Sequence, residues 1–248
     1  AQRTEGRLFL GVLGPVRTGK STFIKRFMET QVIPNIDNVY RRERAIDELP
    51  QSGSGRTIMT AEPKFVPEEA GEVSLEDGVT FSVRLIDSVG YMVKGAMGQM
   101  EDDHPRMVMT PWFPQEIPMA EAAELGTRKV ITEHSTVGIV ITTDGSITDI
   151  DREDYVEPEE RVIRELKELG KPFVVLLNCA EPQSQRAKAI SDEIAQKHGV
   201  ACMPINCLTL SEQDIKEIMK ALLFEFPLSE MDFYLPPWVD ALEMDHPI

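Results

Sequence analysis

The chain has 248 residues, of which 42% are hydrophobic, enough for one substantial core or two small ones. Its 42 acidic and 26 basic residues give a formal net charge of −16, which repels phosphate backbones and anionic lipid and argues against nucleic-acid binding. No apolar stretch reaches the length of a membrane span and the first residues do not resemble a signal peptide, so we expect a cytosolic segment. Cys179, Cys202 and Cys207 lack metal-ligand spacing, which favours reduced, buried thiols.

The first predicted element is a buried strand in the apolar run "LFLGVL", residues 8–13. It leads into the loop "GPVRTGKST", residues 14–22, after which apolar residues from Phe23 to Met28 repeat at helical spacing. This pattern predicts a helix that ends near Pro34. Residues 35–63 are rich in charges, Pro, Gly and Ser and show no period, so we expect a long functional loop.

The next segments, "KFVPEEAGEVSL" and "VTFSVRLIDSVG", alternate apolar and polar residues and are joined by "EDG", which predicts an antiparallel hairpin. A second irregular insert spans residues 91–118. Strands and helices then alternate to the end of the pattern. We predict helices at 119–134, in "EPEERVIRELKEL" with Pro158 in its first turn, at 185–198 and at 211–224, and strands at 137–143, in "KPFVVLLN" and in "GVACMPIN".

This alternation predicts an α/β fold with a mostly parallel sheet, an antiparallel edge hairpin and helices on both faces. We expect residues 1–225 to form one domain. Residues 226–248 contain Pro227, Pro236 and Pro237, and we expect them to lead into a further domain of a longer protein.

The loop after the first strand carries the strongest motif. Gly14, Gly19, Lys20 and Ser21 match G-x-x-x-x-G-K-[ST], in which backbone N–H groups surround phosphate oxygens at the start of a helix. In that pattern the lysine reaches the β- and γ-phosphates and the serine binds Mg²⁺. The alternative is a chance match in a glycine loop. The predicted phosphate-binding residues are Gly14, Val16, Arg17, Thr18, Gly19, Lys20, Ser21 and Thr22.

A second motif closes the hairpin. Asp87 and Gly90 form D-x-x-G in "LIDSVG", where a carboxylate at the end of an apolar strand can hold Mg²⁺. The alternative is a turn or capping aspartate. A threonine in the preceding loop would contact the magnesium ion and sense the γ-phosphate, and we favour Thr60 over Thr57 because it lies closer to the next strand. The alternative is a solvated loop threonine.

These three parts, in this order, resemble the P-loop GTPase class, in its translation-factor-related branch. That class reads guanine with N-K-x-D after a later strand, and this chain has Asn178-Cys179-Ala180-Glu181 there. The missing lysine and the longer carboxylate of Glu181 favour ATP, or relaxed base selection, with Asn178 and Glu181 as candidate nucleotide contacts.

Longer stretches, "RTGKSTFIKRFME", "DELPQSGSGRTIMTAEPKFVP", "GTRKVITEHSTVGIVITTDGSI" and "LPPWVDAL", closely resemble the stage IV sporulation protein A family across nearly the whole chain. The resemblance implies an ATP-hydrolysing domain with Lys20, Asp87 and Thr60 as phosphate-loop lysine, magnesium aspartate and γ-phosphate sensor. Ala61 replaces the family's following threonine, so Thr60 would act alone.

The same resemblance implies irreversible self-assembly on the outer forespore membrane, as the basement layer of the spore coat. It further implies recruitment by a small amphipathic membrane peptide and contacts with other coat proteins. Middle and C-terminal domains of the family lie outside this chain, so membrane contact is expected to be indirect or to use those domains.

Tyr91 follows D-x-x-G at the position where related hydrolases carry a water-orienting glutamine. Because tyrosine cannot take that role in the same way, another group must. Arg17 resembles the loop arginine of guanylate-binding large GTPases, which acts as an internal arginine finger. Its alternatives are a solvent-facing side chain or a pair with Glu62.

Three functions are compatible with these features. The first is an Mg²⁺-dependent ATPase that drives assembly. The second is a nucleotide-gated binding module with negligible turnover, and the third is a GTPase switch.

Overall fold

A computed structural model describes residues 7–50, 63–74, 80–96, 100–101 and 104–226. The strands are β1 (Arg7–Leu13), β2 (Lys64–Ser74), β3 (Thr80–Asp87), β4 (Met100–Glu101), β5 (His104–Pro105), β6 (Met107–Thr110), β7 (Phe113–Pro118), β8 (Val137–Thr143), β9 (Phe173–Asn178) and β10 (Cys202–Ile205). The helices are α1 (Lys20–Phe27), α2 (Val39–Asp47), α3 (Met119–Lys129), α4 (Arg152–Glu168), α5 (Gln185–His198) and α6 (Glu212–Phe224). Short π-helical turns, Met28–Val32 and Val130–His134, extend α1 and α3.

The main sheet has six strands in the order β10-β9-β8-β1-β3-β2. Strands β10, β9, β8, β1 and β3 pair in parallel, and β2 pairs antiparallel with β3 at the edge. The chain is therefore a mixed α/β fold with a mostly parallel sheet and an antiparallel edge hairpin, as its sequence predicts. The order reverses around β1, and in open α/β sheets ligands bind at the carboxyl ends of the strands at such a point.

The apolar core follows from the alternation of side chains along the central strands. Leu10 and Val12 of β1 face one side, where α1 and α6 cover the sheet. Leu13 and the flanking Phe9 face the other side, which is covered by α4, α5 and the turn that follows α3. Every residue of β8 and β9 is buried, as expected for strands that have helices on both faces.

Two details differ from the predicted elements. A helix, α2, lies within the segment expected to be an irregular loop; Asn38 caps it by accepting a hydrogen bond from the Arg41 N–H, and only Ala45 is buried. Helix α4 begins at Arg152, so placing Pro158 in its first turn was wrong. The acidic residues Glu153 and Asp154 occupy the first turn instead, where they complement the positive end of the helix.

The second insert, residues 91–118, was predicted to be irregular, but it contains short strands, in which β6 pairs with β7 and β4 with β5. Thr57, Thr60, Glu62 and residues 227–248 lie outside the described residues, so the predicted threonine sensor and second segment stay predictions. Within the described part of the chain, no helix is long and apolar enough to cross a membrane.

Candidate functional site

The phosphate-loop motif lies at the carboxyl end of β1, against the end of β8. Gly14 has a φ of 130°, and a Cβ placed there would lie 2.1 Å from the carbonyl oxygen of Ile141, so no side chain fits. Of the non-glycine residues that the structure describes, Arg17 alone has a left-handed backbone, with a φ of 64°. A bulky residue adopts this conformation only when the surrounding structure imposes it. The loop is thus held in a shape that its sequence does not favour locally.

Lys20 opens α1 and is buried, 5% exposed. Its Nζ donates hydrogen bonds to the carbonyl oxygens of Pro15, at 2.6 Å, and Gly14, at 3.4 Å, which places the ammonium inside the loop. Burial lowers the pKa of Lys20 to about 8, against the attraction of Asp87, which raises it. A buried ammonium that is short of negative charge is suited to an anionic ligand.

Ser21 and Asp87 meet beside Lys20. The Ser21 hydroxyl donates to Oδ2 of Asp87 at 2.8 Å, whereas Oδ1 of Asp87 is buried and has no hydrogen-bond partner among the residues that the structure describes. Burial raises the pKa of Asp87, and the Ser21 hydrogen bond and the charges of Lys20 and Lys64 oppose that rise. A hydroxyl next to an unmatched carboxylate oxygen is the hard donor set that Mg²⁺ prefers together with phosphate oxygens. These residues therefore fit a magnesium ion.

The D-x-x-G segment is tied to the phosphate loop by its backbone. The Val16 N–H donates to the Tyr91 carbonyl at 2.9 Å, and the Gly90 N–H donates to the Thr127 hydroxyl of α3 at 3.0 Å. A Cβ on Gly90 would lie 2.3 Å from the Gly14 carbonyl oxygen, so the two segments are in direct contact. The structure thus brings together the two motifs that the sequence separates by more than sixty residues.

The Tyr91 side chain points away from this contact and is 1% exposed. Its hydroxyl donates to Glu165 of α4 at 2.5 Å, and the Arg161 guanidinium lies 4.0 Å from the centre of its ring. Arg161 also makes two hydrogen bonds to Glu124 of α3. Tyr91 is therefore a packing residue between helices.

The side chain of Arg17 lies close enough to Tyr155 of α4 to act on its ionisation. Burial raises the pKa of Tyr155, and the hydrogen bond with Thr148 and the charge of Arg17 oppose that rise. Tyr155 packs with Val16 and Val93 in a small apolar cluster beneath the loop. The remaining predicted loop residues are Thr18, which is buried and donates to the Pro15 carbonyl at 3.0 Å, and Thr22, which is half-buried on α1.

Asn178, at the end of β9, holds the phosphate loop from the other side. Its Nδ2 donates to the Thr18 carbonyl at 2.9 Å, and its Oδ1 accepts from the Cys207 N–H at 3.0 Å. Asn178 is buried, whereas Glu181, the fourth residue of the same motif, is exposed. Of the two candidate nucleotide contacts, Asn178 connects two loops by hydrogen bonds and Glu181 is exposed to solvent.

Comparison with known proteins decides the family. A family model described as "Stage IV sporulation protein A, ATPase domain" matches residues 1–227. The chain is 53% identical over 246 residues to Stage IV sporulation protein A of Clostridioides difficile (strain 630). It is 51% identical over the same length to the protein of that name from Bacillus subtilis (strain 168), and 50% identical to that of Bacillus anthracis. The chain belongs to the stage IV sporulation protein A family.

The chain spans about half the length of the curated relatives it matches: each alignment covers 99% of this chain and 50% of the relative. The family model covers every residue from Gly14 to Asn178 that the structure places around the loop. This member of the stage IV sporulation protein A family therefore contains the region named for its ATPase domain.

The structure of this family member also places polar residues beside the candidate site that its sequence motifs do not indicate. Ser146, after β8, accepts the Ala180 N–H at 2.9 Å, and Asn206, after β10, donates to the Ala180 carbonyl at 3.2 Å. The Ser146 hydroxyl in turn donates to Asp144, whose side chain is buried. Ser146 and Asn206 each follow a parallel strand of the main sheet, and this position is the signal that would have found them.

Proposed function

We propose that this chain binds ATP together with Mg²⁺ and hydrolyses it, and that hydrolysis drives self-assembly of a spore-coat basement layer. The observation that carries the nucleotide site is the grouping of Lys20, Ser21 and Asp87, in which one buried oxygen of Asp87 lacks a partner within the described part of the chain. The name of the matching family model supports ATP as the nucleotide, and the names of the relatives support a role in sporulation.

Each residue has a part in the proposed site. The first N–H groups of α1 have no partner within the helix and face the position of the phosphates, at the positive end of the helix dipole. Lys20 would leave the Pro15 and Gly14 carbonyls to bind the β- and γ-phosphates. Ser21 and Asp87 would hold Mg²⁺, directly or through water. When bound, the ion neutralises charge on the phosphates in the transition state.

Hydrolysis also needs a group that orients water or stabilises the developing charge. Tyr91 is engaged with Glu165 and is not that group. We assign the role of charge stabilisation to Arg17, which would swing from the vicinity of Tyr155 towards the γ-phosphate on self-association. Thr60 would sense the γ-phosphate and complete the magnesium site.

The strand order around β1 supports a P-loop NTPase of GTPase-like type, related to translation factors. Use of ATP on this scaffold is supported by the sequence from Asn178 to Glu181, which lacks the lysine that covers guanine. Partners proposed for the assembled protein are other copies, a small amphipathic membrane-recruiting peptide and other coat proteins. The proposed location is the mother-cell side of the forespore outer membrane, reached indirectly or through domains beyond this chain.

The test is phosphate release from ATP and from GTP by the purified chain with Mg²⁺. We expect release from ATP, its loss in Lys20→Ala and its retention in Lys25→Ala, a matched control on the same helix whose side chain is 42% exposed. Arg17→Ala should slow turnover at least about tenfold with ATP affinity nearly unchanged.

The other two functions give different results in the same assay. ATP binding without release above the Lys20→Ala background indicates a nucleotide-gated binding module. Faster release from GTP than from ATP indicates a GTPase switch and contradicts the proposed base preference. Light scattering of the full-length protein with ATP, with a non-hydrolysable ATP analogue and without nucleotide then tests whether hydrolysis drives assembly.

A further inference from the structure

The geometry of the site fixes where the base of a bound nucleotide must lie. The phosphate loop follows β1, and the proposed magnesium ligand Asp87 ends β3 on one side of it. Strands β8, β9 and β10 lie on the other side, and Asn178 joins the ends of β9 and β10 to the loop. A nucleotide with its phosphates on Lys20 and towards Asp87 therefore extends its base over the loops that follow β9 and β10.

At that place the loop after β10 presents an exposed leucine. Leu208 is 74% exposed, although its neighbours Cys207 and Leu210 are buried. Its position is fixed by Asn206, whose side-chain oxygen accepts the Leu208 N–H at 3.0 Å and whose amide nitrogen donates to Ala180. An apolar side chain held at the entrance of a polar site can pack against the face of an aromatic ring.

The peptide N–H groups of the same loops are turned inward. The Cys207 N–H donates to Asn178, the Leu208 N–H to the Asn206 side chain and the Thr209 N–H to the Asn206 carbonyl. In the facing loop, the Cys179 N–H donates to the Ile205 carbonyl and the Ala180 N–H to Ser146. These five N–H groups are therefore not available as donors to the edge of a base.

We propose that Leu208 packs against the nucleobase and that the inward-turned N–H groups of residues 207–209 make this site select adenine over guanine. The proposal rests on the proposed function, since it concerns the base end of the same nucleotide site. Guanine carries a carbonyl oxygen, O6, where adenine carries an amino group. A carbonyl that packs against these loops exchanges hydrogen bonds with water for a surface whose N–H groups are already used, whereas an amino group can donate to the second lone pairs of the Ala180 and Asn206 oxygens.

The leucine contact is tested with Leu208→Ala, and Leu169→Ala serves as control because Leu169 is also an exposed leucine, at the end of α4. Titration calorimetry with Mg²⁺ measures binding of ATP and of inorganic tripolyphosphate, which has no base. Leu208→Ala should weaken ATP binding roughly 5- to 20-fold and leave tripolyphosphate binding within about twofold. The thermal midpoint should not change, because the removed side chain is exposed.

Base selection is tested on the unaltered chain with ITP and 2-aminopurine riboside triphosphate. ITP keeps the guanine carbonyl but lacks the 2-amino group, and the aminopurine keeps that amino group without the carbonyl. We expect ITP to bind at least about tenfold more weakly than ATP, and the aminopurine nucleotide to bind more tightly than ITP.

These outcomes distinguish failure of the leucine contact or of the base selection from failure of the proposed function. Equal ATP binding by Leu208→Ala and the unaltered chain overturns the leucine contact, and ITP binding as tight as that of ATP overturns the selection against the carbonyl. Tripolyphosphate binding that equals ATP binding overturns the base site and leaves the phosphate site intact. If the unaltered chain binds neither ATP nor tripolyphosphate, the proposed function itself is wrong.

Discussion

The Ser21 hydroxyl and the Asp87 carboxylate form a 2.8 Å hydrogen bond that joins the first turn of α1 to the end of β3. The serine satisfies only Oδ2, and Oδ1 is buried with no partner in the described ranges, 7–50, 63–74, 80–96, 100–101 and 104–226. Because burial raises the pKa of Asp87, the ionised carboxylate is less stable here than in water. The fold thus keeps a locally unfavourable charge at the position where a cation would offset it.

Replacing Asp87 with asparagine should separate function from stability. Asp87→Asn removes the charge and should reduce ATP hydrolysis at least roughly a hundredfold, because the proposed metal loses its anionic ligand. The same change should raise the free energy of unfolding at pH 8 without nucleotide. At pH values above the ordinary carboxyl pKa of 3.8, a carboxyl group whose pKa is raised by folding lowers the free energy of unfolding. Asparagine does not ionise and has no such effect. Phosphate release and urea denaturation measure the two effects; a less stable variant with unchanged turnover would contradict both expectations.

The pKa of Lys20 predicts how nucleotide binding depends on pH. With a pKa of about 8 in the free protein, Lys20 loses its proton as the pH rises through 8, and bound phosphates would favour the protonated form. ATP affinity should therefore fall about tenfold between pH 7 and pH 9. Calorimetry across this range should show proton uptake on binding. In Lys20→Met the affinity should be lower and free of this pH dependence.

The same residue affects stability in the opposite direction. Between pH 8 and 10.5 the unfolded chain binds more protons at Lys20 than the folded chain does, so its contribution to the free energy of unfolding rises with pH. Lys20→Met should remove that contribution. An unchanged slope in the variant would show that Lys20 is not the titrating group.

Gly90 and Gly95 form a matched pair for testing the contact between the two motifs. Both have positive φ, 97° and 85°, but a Cβ on Gly90 would lie 2.6 Å from Lys20 Nζ, whereas no atom of the described residues lies within 4 Å of one on Gly95. Gly90→Ala should weaken ATP binding at least roughly tenfold because it displaces Lys20 and the Gly14 carbonyl. Gly95→Ala carries the backbone strain alone and should bind ATP normally. Equal affinities of the two variants would exclude this contact from nucleotide binding.

Tyr91 should affect stability and leave chemistry unchanged. Tyr91→Phe keeps the ring beneath Arg161 but removes the hydrogen bond to Glu165, which should cost about 1.5–3 kcal/mol of stability. Turnover at saturating ATP should stay within about twofold of the unaltered chain, in contrast to Arg17→Ala. A large loss of turnover in a folded Tyr91→Phe protein would show that the Tyr91 hydroxyl takes part in hydrolysis.

The sequence predicted those elements whose apolar pattern is strong. The bounds of β8 and α5 match the predicted strand and helix. A buried strand gives a continuous apolar run, and a helix with one buried face gives apolar residues at helical spacing. Helix α2 escaped prediction because only Ala45 faces the core, so it has no apolar stripe. The predicted start of α4 was too late in the chain. The acidic residues at its N-terminus stabilise the helix, but their sequence is also typical of a solvated loop.

The candidate site divides in the same way. Motif spacing predicted Lys20, Ser21, Asp87 and Gly90, and the structure brings them together, although their roles remain predictions. Ser146 and Asn206 belong to no motif, because they meet at Ala180 through contacts between loops that are far apart along the chain, and Leu208 is held next to Asn206. Only the parallel order of the strands brings those loops to one edge.

Tyr91 holds Val16 of the phosphate loop through its carbonyl and Glu165 of α4 through its hydroxyl. Displacing this residue therefore disturbs both contacts at once, and Arg161 carries the disturbance to Glu124, which lies at the solvent. The outside of α3 is consequently two side chains away from Tyr91. A spectroscopic label at the exposed position 121, one turn before Glu124 on α3, would report nucleotide occupancy from outside the site and leave the Arg161–Glu124 pair intact.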